Sequence, residues 1–420
     1  MKITRVLARE VFDSRGIPAL QCELQLEDNF IVSASVGYGG PSDKNSFLEL
    51  RDGGSRLGGM GLTRAVKNIE FKIAPLLLGQ ESNPLEMDLA MLELDGTHNK
   101  SHLGANTLLA VSMALYKAQA VTEELELYEL LALISGKDAV TMPIPLINLI
   151  SGHSFSRSPK NELAIKECLI APLDAPNFRA SFEMSVALQY EIGAILDRQN
   201  KETAIGPDGG RTPFSTSERE ILGIVHQALA KISSAYDYTC AMVLDIGASR
   251  WYDCANNIYA VRGVRKTSGE LISWYKELIA DYPIYGISDG LGKNDLEGWH
   301  QLSGSLQENV HIIGDELFLS NPYRIAQGVD LHIADSVIIR PHQIGTITET
   351  LQLITHCKEQ EIEVIIGSEY GGTEETFLAD LSVGTSVNQI RAGGIFQSQH
   401  LAKYNRLLAI EDALTVNLLI

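Results

Sequence analysis

Residues 311–343 read HIIGDELFLSNPYRIAQGVDLHIADSVIIRPHQ, and their texture decides the fold. A short apolar run, HIIG, stops on Asp315; a helix-like segment follows; a second apolar run, SVII, stops on Arg340. Short apolar runs bounded by turn signals fit buried strands, and strands alternating with helical patterns fit βαβ units. The pattern recurs on both sides, as AMVLDIG ending on Asp245, YGISDG on Ser288 and Asp289, and VIIGSEYGG on Ser368 and Glu369. Strand and helix alternating about six times, with polar residues at one strand end after another, predict an α/β fold: a (β/α)8 barrel with an active-site mouth. The competing fold is a doubly wound open sheet. The chain has no GxGxxG after a strand and no GxxxxGK[ST], which removes the usual nucleotide signatures of that competitor.

Upstream the pattern differs. Ile3 to Val11 and Gln21 to Leu26 alternate apolar and polar residues across turn signals at Ser14-Arg15-Gly16 and Glu27-Asp28-Asn29, which predicts an antiparallel sheet. After the Gly-rich stretch GYGGPSDKN (37–45), helical patterns cover Leu62 to Leu78 and Thr107 to Ala120. A small α+β domain over residues 1–137 and a barrel domain over 138–420 are therefore expected, with VTMPIPLINLI marking the change.

The 420 residues are 45% hydrophobic, so the chain buries a large core and is neither disordered nor fibrous. Its 34 Lys and Arg against 53 Asp and Glu give a net charge of −19, which repels nucleic acid and anionic lipid. Five scattered cysteines without a CxxC pair argue for buried thiols in a reducing compartment. With no signal peptide and no run of about 18 apolar residues, a cytoplasmic protein without a membrane span is expected.

Asp245, Asp289 or Ser288, and Asp315 lie at three successive strand ends, where oxygen ligands would suit a hard cation such as Mg²⁺; equally, such acids cap the turn that follows. Glu316, Glu369 and Asp208 are weaker candidates of the same kind. Arg340 and Arg391 would either capture a carboxylate or phosphate or pair internally with the strand-end acids. His153 and His342 are the candidate imidazoles, each readable also as a structural residue. IGPDGGRTP (205–213) reads as a loop of turn residues containing Asp208 and Arg211, and GYGGPSDKN reads as a connecting loop or a lid.

Six longer motifs run the length of the chain in order: FDSRG (12–16), LELRDG (48–53), ELDGTHNKSHLGAN (93–106), GDELFLSNPYRI (314–325), QIGTITETL (343–351) and LAKYNRLLAIEDAL (401–414). Together they resemble enolase, the phosphopyruvate hydratase family. The resemblance implies a modified (β/α)8 TIM barrel under an N-terminal α+β cap domain, and a homodimer. It also implies a chemistry in which a Lys removes the proton α to a carboxylate, Mg²⁺ ions steady the enediolate, and a Glu assists loss of the hydroxyl.

The departures from the family cluster where that chemistry would take place. The base position falls on Arg340 and the second pocket Lys on Arg391. The phosphate-binding HRSGET segment appears as Ser368, Glu369, Tyr370, Gly371, Gly372 and Thr373, which replaces the binding Arg by Glu369. The metal ligands Asp, Glu and Asp map to Asp245, Ser288 and Asp315, with Asp289 beside the gap, so Mg²⁺ binding is expected to be weakened. GDEGG becomes Gly206-Pro207-Asp208-Gly209-Gly210, and the lid Ser falls on Pro41. His153 lies near the family His, and Glu167 matches the family's QEF-type Glu.

Three functions follow from the resemblance. The first is a relative unable to dehydrate 2-phosphoglycerate that serves as a binding or regulatory protein. The second is an enzyme of altered specificity acting on a small carboxylate ligand with one Mg²⁺. The third is a divergent phosphopyruvate hydratase. Pairing of Arg340 and Arg391 with the pocket acids favours the first; arginines pointing into an open cavity favour the second.

Overall fold

The computed structural model describes residues 1–40, 47–152, 163–213, 217–236, 238–369 and 371–417. Three antiparallel strands, β1 (Ile3–Phe12), β2 (Pro18–Leu26) and β3 (Ile31–Val36), form a meander. The β1–β2 turn closes on Asp13, whose carboxylate accepts the Arg15 and Ile17 amides at 2.8 and 3.0 Å, while Gly16 takes φ +73°. Leu20, Cys22, Leu24 and Leu26 alternate onto the inner face of β2 and are buried. The predicted helix at 62–78 forms as α1 (Thr63–Asn68), a π-helical turn (Ile69–Ile73) and α2 (Ala74–Leu77). Beyond it come α3 (Pro84–Asp95), α4 (Ala105–Thr122) and α5 (Leu127–Ile134). α4 is buried on nearly all sides because it lies between the meander and the second domain; each such Leu stabilises by about 1.5–3 kcal/mol.

The second domain begins with β4 (Ile144–Pro145) and β5 (Ile147–Ser151), separated by Leu146 alone. It continues with β6 (Glu167–Pro172), α6 (Phe178–Arg198), the hairpin β7 (Thr203–Ile205) and β8 (Arg211–Pro213), α7 (Glu218–Tyr236) and β9 (Cys240–Asp245). A small antiparallel sheet follows, of β10 (Tyr252–Asp253), β11 (Ile258–Val261) and β12 (Val264–Lys266). After it strand and helix alternate: α8 (Ser268–Asp281), β13 (Ile284–Ser288), α9 (Leu296–Leu306), β14 (His311–Gly314), α10 (Pro322–Asp330), β15 (Ser336–Ile339) and α11 (Ile347–Glu359). The chain ends with β16 (Glu363–Gly367), α12 (Phe377–Gly384), β17 (Gln389–Arg391) and α13 (Ser398–Asn417).

The sheet order β4-β17-β16-β15-β14-β13-β9-β6-β5 closes on itself, because β4 and β5 are one run of chain that bonds β17 at its start and β6 at its end. Among the described residues, β6 is the one strand of these nine that runs antiparallel to its neighbours, which makes this a modified (β/α)8 barrel. Leu146, Leu169, Ala171, Val243, Ile313, Ile338 and Ile365 fill its interior, and the main core lies between the strands and the surrounding helices.

Residues 206–210 form the expected turn, Gly206 amide to Gly210 carbonyl at 2.8 Å, and the short strands β7 and β8 on either side make it a hairpin. One expectation is corrected. Cys22, Cys168, Cys240 and Cys357 are buried thiols, pushed up to about 12 by burial, but Cys254 is exposed in the turn between β10 and β11. Among the described residues no helix is long and apolar enough to cross a membrane.

Candidate active site

Parallel strands bring their carboxyl ends to one mouth. Asp245 and Ser288 end β9 and β13, Asp315 and Arg340 follow β14 and β15 directly, Ser368 follows β16, and Arg391 ends β17. Because β6 runs the other way, its first residue, Glu167, reaches the same mouth and pairs in register with Asp245 and Ser151. His153, Tyr370, Pro41 and Ser42 lie outside the described residues.

The two arginines and the acids form one buried network. Arg340 donates to both Asp315 oxygens, Nε to Oδ1 at 2.9 Å and Nη2 to Oδ2 at 2.6 Å, and through Nη1 to the Ser368 carbonyl. Gly367 leaves room here: a Cβ there would stand 2.5 Å from Ile338 Cγ2 and 3.1 Å from Arg340 Cζ. Arg391 Nη2 donates to Glu167 Oε2 at 3.0 Å and Asp245 Oδ2 at 2.5 Å, with Nη1 3.8 Å from Asp315 Oδ2. Lys166 Nζ lies 3.8 Å from Asp245 and 3.6 Å from Glu316. Burial works to raise the Asp315 carboxyl, but Arg340, Arg391 and Lys166 overcome it and hold the group down at about 2. The same contest, burial against Lys166 and Arg391, leaves Asp245 below the usual carboxylate range.

Asp289 turns away from this network. Its carboxylate accepts the backbone amides of Asp315, Glu316 and Leu317 at 3.1, 2.9 and 3.4 Å, and it takes φ +47° to do so. Burial, with Glu316, Asp315 and Asp245 nearby, pushes it well above the ordinary value. Asp208 lies in the hairpin turn, where it accepts the Ser151 hydroxyl and, at 3.2 Å, the Gly210 amide. Burial and the charge of Glu167 push its carboxyl up to about 7.

Glu369 stands two residues past the end of β16. With His342, Glu375, Lys403, Ser35 and Val36 it lines a cavity of about 20 Å³, room for about one water. Lys403 is buried, donates to the Gln399 carbonyl at 3.1 Å, and is lowered by burial, which Glu369 and Glu375 partly offset. The described part of the Gly-rich loop, residues 37–40, rests on this region. Gly39 packs so closely on the His342 ring that any side chain at Gly39 would collide, and Gly37 does the same against the Gly371 carbonyl. Burial drives His342 down to about 4, so it is neutral. Arg15 holds the Tyr38 carbonyl at 2.6 Å.

Sequence reasoning passed over Lys166, Ser151 and Lys403. Lys403 lies within the quoted LAKYN segment and Lys166 is the neighbour of Glu167, but nothing in residue type says that a lysine faces a pocket.

A closed barrel under an α+β cap, with acids and bases at the carboxyl strand ends, defines an enolase-type capped barrel. The family description "Enolase, N-terminal domain" matches residues 3–131 and "Enolase, C-terminal TIM barrel domain" matches residues 139–418. The chain belongs to the enolase family.

That family typically uses Mg²⁺, and the residues here do not fit it. A magnesium ion needs oxygens free to approach to about 2.0–2.1 Å. Both Asp315 oxygens and Asp245 Oδ2 already accept guanidinium N–H groups, and Ser288 offers a hydroxyl where a carboxylate would stand. The buried atoms Asp245 Oδ1, Glu167 Oε1 and Ser288 Oγ have no hydrogen-bond partner, but the cations Arg391 and Lys166 beside them would repel a second positive charge. Among the described residues no group of three or more His, Cys, Asp or Glu is arranged to hold a metal ion.

Proposed function

We propose that this member of the enolase family does not dehydrate 2-phosphoglycerate and serves as a binding or regulatory protein. In this reading it is a cytoplasmic homodimer whose cap and barrel meet near residue 138. The Arg340–Asp315 fork carries the reading. A general base must lose a proton near working pH, whereas Arg stays protonated, and this one is held by a buried carboxylate. Glu369 supports it further, because a phosphate at that position would meet a negative charge. The test is product formation from 2-phosphoglycerate, followed by ultraviolet absorbance beside a working enolase. Turnover at least ~10⁴-fold below the control is expected; turnover within about a hundredfold of it would refute the reading.

One observation favours an altered enzyme. Asp208 is buried and held near neutrality, as a proton-transferring group would be. Against this, the arginines that would hold a substrate carboxylate are already paired inside the mouth.

A further inference from the structure

The barrel mouth gathers three acids from separate strands around one side chain. Glu167 begins β6, Asp245 ends β9 and Asp315 follows β14, and Arg391 reaches all three from β17, at 3.0, 2.5 and 3.8 Å. Asp245 is fully buried, Glu167 is 3% exposed, and Arg391 is 6% exposed. Buried carboxylates in such numbers repel one another and are deprived of water, so a folded mouth needs a cation among them. Where the cation is a bound metal, folding and metal binding are coupled. Here it is part of the chain.

We propose that Arg391 is a tethered counter-ion that takes over the structural work of a divalent metal, so that the mouth assembles without one. The chemistry of the side chain suits the task. The guanidinium spreads its charge over a planar fork, so one group serves carboxylates on different strands, and it stays charged at every pH the protein meets. The partnerless oxygens of Asp245, Glu167 and Ser288 belong to residues that pair in register on adjoining strands, which leaves oxygens beside the guanidinium once it is taken away. The inference deepens the reading above, resting on it only for the absence of turnover, and it is tested by stability instead of activity.

The experiment is thermal unfolding of the full chain in EDTA, in about 5 mM Mg²⁺, and in NaCl of matched ionic strength. The unmodified protein should shift by less than about 1 °C among the three. Arg391→Ala should fall by roughly 3–6 °C in EDTA and recover part of that in Mg²⁺ but not in NaCl. Arg391→Lys keeps one charge without the fork; it should fall less and gain a smaller Mg²⁺ response, and it serves where the alanine variant does not fold. A Mg²⁺ response in either variant supports the proposal, and no response in both overturns it. Stoichiometric Mn²⁺ binding by the unmodified protein, read by electron paramagnetic resonance, also overturns it. Metal binding without turnover would sink this proposal and leave the preceding one standing, whereas turnover without metal binding would do the reverse.

Discussion

Asp315 and Asp208 stand around one mouth and shift in opposite directions, so they act on stability in different pH windows. Asp315 is depressed to about 2, below its unfolded value of about 3.8; its contribution is present above pH ~4 and is lost as pH falls towards 2. Asp208 is raised to about 7, so the folded protein binds the proton more tightly than the unfolded chain, and stability falls as pH climbs from about 4 to 7. An amide at that position still accepts from Ser151 and Gly210 and cannot ionise. Asp208→Asn should therefore be more stable than the unmodified protein at pH 8, on the order of 2 kcal/mol, with little difference near pH 4, as measured by urea unfolding. A loss of stability at pH 8 would mean that the charged form is the one this turn holds. These residues could be named from the sequence as pocket positions. Whether Arg340 met a carboxylate inside or a ligand outside could not, because both outcomes use the same residue type.

At the scale of elements, local chemistry explains most boundaries. Thr346 caps α11, accepting the Glu349 amide at 3.2 Å while its hydroxyl donates to the Glu349 carboxylate at 2.7 Å, and QIGTITE carries the residues in that spacing. Lys100 of the cap domain reaches the same Glu349 at 3.0 Å. Thr346→Ala should cost about 1 kcal/mol, seen as a fall of about 1 °C in the unfolding midpoint; no change would show that burial of α11 alone holds its first turn. The hairpin at 203–213 escaped sequence reading because its strands are only three residues each, too short for alternation to show against five turn residues. The π-helical turn at Ile69–Ile73 is likewise invisible in a periodicity averaged over several turns.

The two domains are joined by buried polar contacts as well as by apolar packing. Asp88 of α3, fully buried, accepts the Ser112 hydroxyl at 2.7 Å and the Thr348 hydroxyl and amide at 2.6 and 3.2 Å, tying the cap to the start of α11. Lys117 on α4 pairs with Glu375 at 2.6 Å, and Glu375 accepts the Ser35 amide at 3.1 Å. So shared a boundary predicts that cap and barrel unfold together, in one calorimetric endotherm. Asp88→Ala leaves the Ser112 and Thr348 donors unsatisfied and should lower that single endotherm by about 2–3 kcal/mol of stability. Two separated endotherms in the unmodified protein would show that the junction is weaker than its contacts suggest.

The sequence by itself determined the barrel, the cap and the family. Strand ends recur at regular intervals in HIIGDEL, SVIIRPHQ and VIIGSEYGG, and the long motifs hold their order from Phe12 to Leu414, features of spacing that one dimension preserves. Only the tertiary structure decided how the mouth is charged. Arg391 is separated in sequence from Glu167 by 224 residues and from Asp245 by 146, and Asp289 lies beside Ser288 yet turns to the amides of the next strand's turn. The physical reason is that buried charge is settled by which groups meet, and that depends on strand order and side-chain reach, which residue identity alone does not encode.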